Sequence, residues 1–173
     1  MKNTRTIRES RKPITVVIET PKGYRNKIKL DPSSKSFKLS KIMPEGMMFP
    51  YDFGFVPNTH AADGDPIDVL VLTDDALFPG CRVDCRLVGV IKAEQKEKGK
   101  SNRNDRLVAV AVPSLVYSNI ATIGEIPEPV LKQIKEFFVN YQKVRDVKVT
   151  ILGTSGPERA AELLSQAKSK KAA

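Results

Sequence analysis

The chain has 173 residues, enough for one domain with its own apolar core and few for two of ordinary size. Apolar residues make up 40% and charged residues 28%, which excludes a disordered polyelectrolyte, while 29 Lys and Arg against 20 Asp and Glu leave a net charge of +9 that favours anionic ligands. A single His and two Cys exclude His-rich and Cys-rich metal centres, and no apolar run reaches the roughly 18 residues of a membrane span.

Residues 1–12, MKNTRTIRESRK, are polar and basic without apolar periodicity. They read as a flexible arm ahead of one domain over 13–173, and they lack the apolar stretch of a secretory leader. Ordered structure is expected from Ile14, where ITVVIE is β-branched and strand-like. PKGY reads as a turn, Lys27 to Leu30 as a strand, DPSSKS as a loop and FKLSKI as a half-buried strand. Met43 to Pro57, rich in Pro, Gly and aromatics, reads as a packed irregular loop. DVLVL, Asp68 to Leu72, is apolar on both faces and suits a central strand.

Arg82 to Lys92 and Arg106 to Val112 read as two further strands, joined by EQKEKGKSNRNDR as a charged hairpin loop with Gly99 near its tip. Cys81 and Cys85 lie four apart in a strand pattern, about 13 Å between Cα atoms, too far for a disulfide. Helical spacing appears after Pro129, where Val130, Ile134, Phe137, Phe138 and Tyr141 share one face. Val147 to Leu152 alternates as a strand, and Ser155-Gly-Pro-Glu158 reads as a capping box that starts a terminal helix. With strands first and helices last, the class is α+β, a mostly antiparallel barrel or curled sheet flanked by two helices.

Chemistry concentrates in DGDPID, Asp63 to Asp68. Three carboxylates in six residues repel one another unless a cation sits among them, and hard oxygen donors suit Mg²⁺ or Mn²⁺. On residue types alone an exposed acidic turn is an equal reading, and the EF-hand pattern fails because Pro66 and Ile67 fall at wrong positions. Gly99-Lys100-Ser101 imitates the end of a phosphate loop, but Glu94 stands where its first glycine belongs and no helix pattern follows. His60 reads as a surface or structural residue. The basic arm and the KSKK tail lack the interleaved aromatics or recognition helix of a nucleic-acid binder, so nucleic acid is disfavoured.

VVIE, FPYDFGFVPNT, DGDPIDVLV, GVI, LVAV and EFF-x-x-Y stand in the order found in soluble family I inorganic pyrophosphatases. The chain resembles that family from about Ile14 to Ala167. The resemblance implies a small five-stranded oligonucleotide-binding-like β-barrel with extra strands and two flanking C-terminal helices. It also implies Mg²⁺-dependent hydrolysis of pyrophosphate (Mn²⁺ as a substitute), a cytoplasmic protein, no membrane partner, and a homo-oligomer with a hexamer favoured.

By resemblance, Asp63, Asp65 and Asp68 bind metal, and Asp65 takes the proton of the attacking water. Glu19 matches a pocket carboxylate, Lys27 a phosphate lysine and Tyr141 a phosphate tyrosine. The chain departs elsewhere: Lys29 replaces a carboxylate, Lys41 an arginine, Phe49 and Phe53 two tyrosines, and Arg106 and Gln142 two lysines. Two metal aspartates fall on Gln95 and Asn104, with Glu94 and Asp105 beside them, and Asp105 is the candidate to replace the second. Lys29, Lys41 and Arg106 join the expected phosphate contacts. Three readings follow: a working enzyme with slow turnover or changed metal preference, a degenerate homologue that binds phosphate-type anions or a partner, and a basic nucleic-acid module.

Overall fold

In the computed structural model, which describes residues 12–62, 64–143 and 146–169, the chain runs through β1 (Ile14–Thr20), β2 (Asn26–Asp31), β3 (Ser36–Ile42), β4 (Asp52–Phe55), β5 (Asp68–Leu72) and β6 (Arg82–Glu97). It continues through β7 (Lys100–Arg103), β8 (Arg106–Ala111), a 3₁₀ turn (Ile123–Glu125), α1 (Glu128–Lys143), β9 (Lys148–Ser155) and α2 (Pro157–Ser169). All of the predicted arm except Lys12 lies outside the described residues, as does Asp63. No helix among the described residues is long and apolar enough to cross a membrane.

The strand pairings close a ring. β1 pairs with β4, β4 with β5, β5 with β8 and β8 with β6, and β6 returns to β1. These five strands form the expected barrel, antiparallel at every seam but β5–β8, which is parallel. β6 makes this possible by changing partners along its length. Ile14–Val17 of β1 pair with its first residues, β8 with its middle, and β9 and β7 with its outer half. β2 and β3 form a separate hairpin.

Beyond their first residues, Asp68 and Arg106, β5 and β8 are apolar because both of their faces are covered. Val69, Val71, Leu107 and Ala109 join one cluster with Ala160 and Leu164 of α2, while Leu70, Leu72, Val108 and Val110 join another with Ile134 and Phe138 of α1. Alternation of side chains along a strand divides the two sets. In α1 the buried stripe includes Ile134, Phe138 and Tyr141 as expected, and widens to Leu131 and Gln142. Cys85 is buried in β6, where desolvation pushes its thiol up to about 12, and both cysteines are free.

Three segments differ from the sequence expectation. Met43 to Pro57 contains β4, whose Gly54 is required by close packing: a Cβ there would lie 2.1 Å from the Val17 carbonyl oxygen. Asp52, fully buried at the head of β4, fixes this region by accepting hydrogen bonds from the Lys22 amide at 2.9 Å, the Leu77 amide at 3.3 Å and the Thr73 hydroxyl. The charged stretch after Lys92 is a hairpin as expected, but its arms are paired strand, the end of β6 and β7, rather than loop; it turns at Lys98 and Gly99, both at positive φ (48° and 80°), which suits a two-residue turn. Ser155 stays in β9, paired with Val90, so α2 starts at Pro157 rather than from the Ser155 capping box.

Candidate active site

A cavity of about 250 Å³ opens where six parts of the fold meet. The β2–β3 hairpin contributes Lys27, Lys29, Ser40 and Lys41, and the loop into β5 contributes Asp65 and Asp68. Gln95 of β6, Asn104 and Arg106 at the start of β8, Phe49 and Phe53 around β4, and Phe138, Tyr141 and Gln142 of α1 complete its wall. A larger, more open hollow of about 700 Å³ lies between the start of β1 and the end of α2, and its lining has no carboxylate.

Alternation puts Lys27 and Lys29 on one face of β2, and the hairpin register sets Lys27 directly opposite Lys41. Like charges opposite one another are unfavourable unless an anion joins them. Lys27 Nζ donates to Tyr141 Oη at 2.7 Å and lies over the Phe53 and Tyr141 rings at 5.7 and 5.0 Å. Burial lowers its pKa to about 8, with Asp68 opposing the fall and Lys29 adding to it. Arg106 is buried, donates to the Asn104 carbonyl at 3.1 Å and holds its guanidinium carbon 4.5 Å from the centre of the Phe138 ring.

Lys29 Nζ sits 3.3 Å from Asp65 Oδ2. Burial pulls the Lys29 pKa down, but Asp65, Glu19 and Asp68 outweigh it and hold the ammonium above the ordinary lysine range. Asn104 Nδ2 donates to Gln95 Oε1 at 2.8 Å, so the β6–β8 wall ends in a neutral amide pair.

The structure therefore brings together Asp65, Asp68, Lys27, Lys29, Lys41, Arg106 and Tyr141 of the expected residues. Asp63 is outside the described residues. Glu19 stands behind the wall: it is buried and accepts the Leu30 amide at 2.7 Å, and burial raises its pKa against the pull of that amide and of Lys29. Asp105 needs correction. Its carboxylate accepts from Arg103 Nη2 at 2.7 Å and from the Ala93 amide at 3.0 Å, so it locks the base of the β6–β7 hairpin and lines a different cavity. Adjacent extended residues point to opposite sides, and Asn104 is the one that faces the site. His60 lies 3.4 Å from the Gly64 carbonyl oxygen, a contact within the loop. Ser40 has no sequence signal as a site residue, and Phe138 is legible from sequence only as part of the apolar helix face.

Asp65 and Asp68 offer only oxygen, the donor type that suits Mg²⁺. They fit a small, hard cation on the loop side of the cavity. Among the described residues no three His, Cys, Asp or Glu side chains gather into a metal cluster.

Residues 16–172 match the family model for inorganic pyrophosphatase. The chain is 36% identical over 156 residues to the inorganic pyrophosphatase of Methanosarcina acetivorans, covering 90% of each. It is 37% identical over 142 residues to that of Thermus thermophilus, covering 79% of each. Its fold matches the crystal structure of the Thermus thermophilus inorganic pyrophosphatase with a TM-score of 0.86 at 30% identity, over 93% of this chain and 92% of that one. The Helicobacter pylori inorganic pyrophosphatase structure gives a TM-score of 0.85 at 30% identity, over 93% and 94%.

Proposed function

The chain belongs to the inorganic pyrophosphatase family, and from that membership we infer that it hydrolyses inorganic pyrophosphate to two phosphates. The observation that carries this reading is the joining of four cationic side chains with Asp65 and Asp68 in one cavity of about 250 Å³. An anion-binding homologue without turnover is not favoured by relatives of this similarity.

In our reading Lys27, Lys41 and Arg106 hold phosphate oxygens, with Tyr141 fixing Lys27 through its hydroxyl. Arg106 lies over the Phe138 ring and lines the cavity, and a guanidinium can offer two N–H groups to two oxygens of one phosphate. Asp65 accepts a proton from the attacking water. The water oxygen forms the new bond to phosphorus, and the bridging oxygen leaves with the second phosphate. Asp65 and Asp68, with Asp63 by the family resemblance, would hold Mg²⁺ (or Mn²⁺), which would supply charge neutralisation and lower the pKa of the attacking water. By the family resemblance we extend the proposal to a cytoplasmic homo-oligomer, a hexamer, which light scattering of the purified chain tests.

A phosphate-release assay on pyrophosphate with Mg²⁺ and with Mn²⁺ tests the activity. Asp65→Asn is expected to lower kcat by a factor of ~10² or more, the usual worth of a positioned base. No phosphate release by the parent with either metal would overturn the assignment. Undiminished turnover in Asp65→Asn would remove that residue from the role.

A further inference from the structure

The cavity is unevenly charged. On the loop side stand Asp65 and Asp68, while the opposite wall ends in the Gln95–Asn104 pair, whose hydrogen bond at 2.8 Å commits one amide group of each. A neutral amide pair brings no formal charge to hold a divalent cation, and such ions select oxygen donors of high charge density. Beyond a cation held by the loop aspartates, neutralisation of a polyanion in this cavity comes from cationic side chains.

Lys29 is placed to provide it. It shares the β2 face of Lys27, lines the same cavity, and is tied to Asp65 at 3.3 Å. That ion pair is open to water, with side-chain exposures of 44% and 65%, and exposed pairs of this kind are weakly held. A multiply charged phosphate therefore competes well with one carboxylate for the ammonium.

Resting on the pyrophosphatase reading, we propose that Lys29 is the mobile counter-charge of this site: its ammonium, 3.3 Å from Asp65 in the exposed pair, moves to a phosphate oxygen when pyrophosphate binds. Lys29 is then a substrate-binding residue whose cation serves where the Gln95–Asn104 wall recruits none.

The probe is imidodiphosphate, the non-hydrolysable analogue, titrated calorimetrically into the full chain with chelator and again with Mg²⁺. The parent is expected to bind without metal. Lys29→Met should weaken that binding about tenfold or more, the worth of a hydrogen bond to a charged group, and Lys29→Arg should restore most of it. Pyrophosphate kinetics give a second readout. Lys29→Met should raise KM more at limiting than at saturating Mg²⁺, because added metal partly replaces the lost cation.

Gln95→Asp with Asn104→Asp should bind more Mg²⁺ than the parent in titrations with the metal alone. Equal metal-free affinity in Lys29→Met and parent, absence of metal-free binding by the parent, or no additional Mg²⁺ in the double variant would each overturn the proposal. The outcomes separate it from the activity on which it rests. Lys29-dependent analogue binding without phosphate release defeats the hydrolase reading alone. Phosphate release with no Lys29 dependence defeats only the counter-charge.

Discussion

Lys27 offers a quantitative test of how the cavity handles charge. Its ammonium is desolvated between Tyr141 and Phe53, and its pKa falls from 10.5 to about 8. The fall corresponds to about 3 kcal/mol between the charged and neutral forms. At pH 7 most of the group is charged and able to hold phosphate, whereas at pH 9 only about a tenth remains so. The pH profile of kcat/KM reports groups of the free enzyme, so it should break near pH 8 and then drop about tenfold per pH unit.

Arginine at this position stays protonated throughout, so Lys27→Arg should remain level to about pH 10 even if its absolute rate is lower. Stability must move the other way. The unfolded lysine keeps its higher pKa, so between pH 8 and 10.5 the unfolded chain binds more protons than the folded one. The unfavourable contribution of Lys27 is fully present below pH 8 and fades as pH rises through that window. Melting temperature measured across it should therefore gain from this group in the parent but not in Lys27→Arg. An identical alkaline break in kcat/KM for parent and Lys27→Arg would refute the assignment of the titration to Lys27.

Two further predictions concern the scaffold. Asp52→Ala strips a fully buried carboxylate from three donors and should cost about 3 kcal/mol or more, with a melting temperature lower by about 6–12 °C in calorimetry, while Asp52→Asn should lose less. Gly89→Ala places a Cβ 2.6 Å from the Ser155 carbonyl oxygen and 2.7 Å from Ile123 Cβ, so the variant should melt far below the parent or fail to fold. Gly124→Ala, whose new methyl meets nothing nearer than 3.9 Å, is the control and should melt close to the parent.

What the sequence revealed follows from which signals are local. β5 was legible because Asp68–Leu72 is apolar on both faces, and its carboxylate neighbours announced the loop chemistry in a few consecutive residues. β4 was hidden because its four residues sit among prolines and aromatics, and its glycine answers to the Val17 backbone, a partner far away in sequence. β7 and the end of β6 are exposed, so no apolar alternation marks them. The parallel β5–β8 seam depends on pairing across the whole β6 strand, which no short pattern encodes.

At the site, the lysines of β2 could be picked out by residue type and resemblance. Asp105 is one residue from the position that faces the site, because Asn104 and Asp105, in the two-residue link between β7 and β8, line different cavities and residue type favours the carboxylate. The Asn104–Gln95 hydrogen bond joins residues nine positions apart across a hairpin. Sequence showed only two missing carboxylates, not that the replacements satisfy each other.

The ring closure has a consequence for biosynthesis. While the chain is being made, β4 and β5 are available long before β8, so the β5 edge has no barrel partner until residues 106–111 have emerged. Such an open edge invites pairing with other nascent chains, a hazard for chaperones to cover. The cavity completes later still, since the Lys27–Tyr141 contact spans 114 positions and awaits α1. Partial-length products released before Tyr141 therefore carry the basic hairpin and the acidic loop without the helix that joins them into one pocket. Such fragments have exposed β-edges and no finished phosphate site, so their fate is decided by aggregation and proteolysis rather than by catalysis.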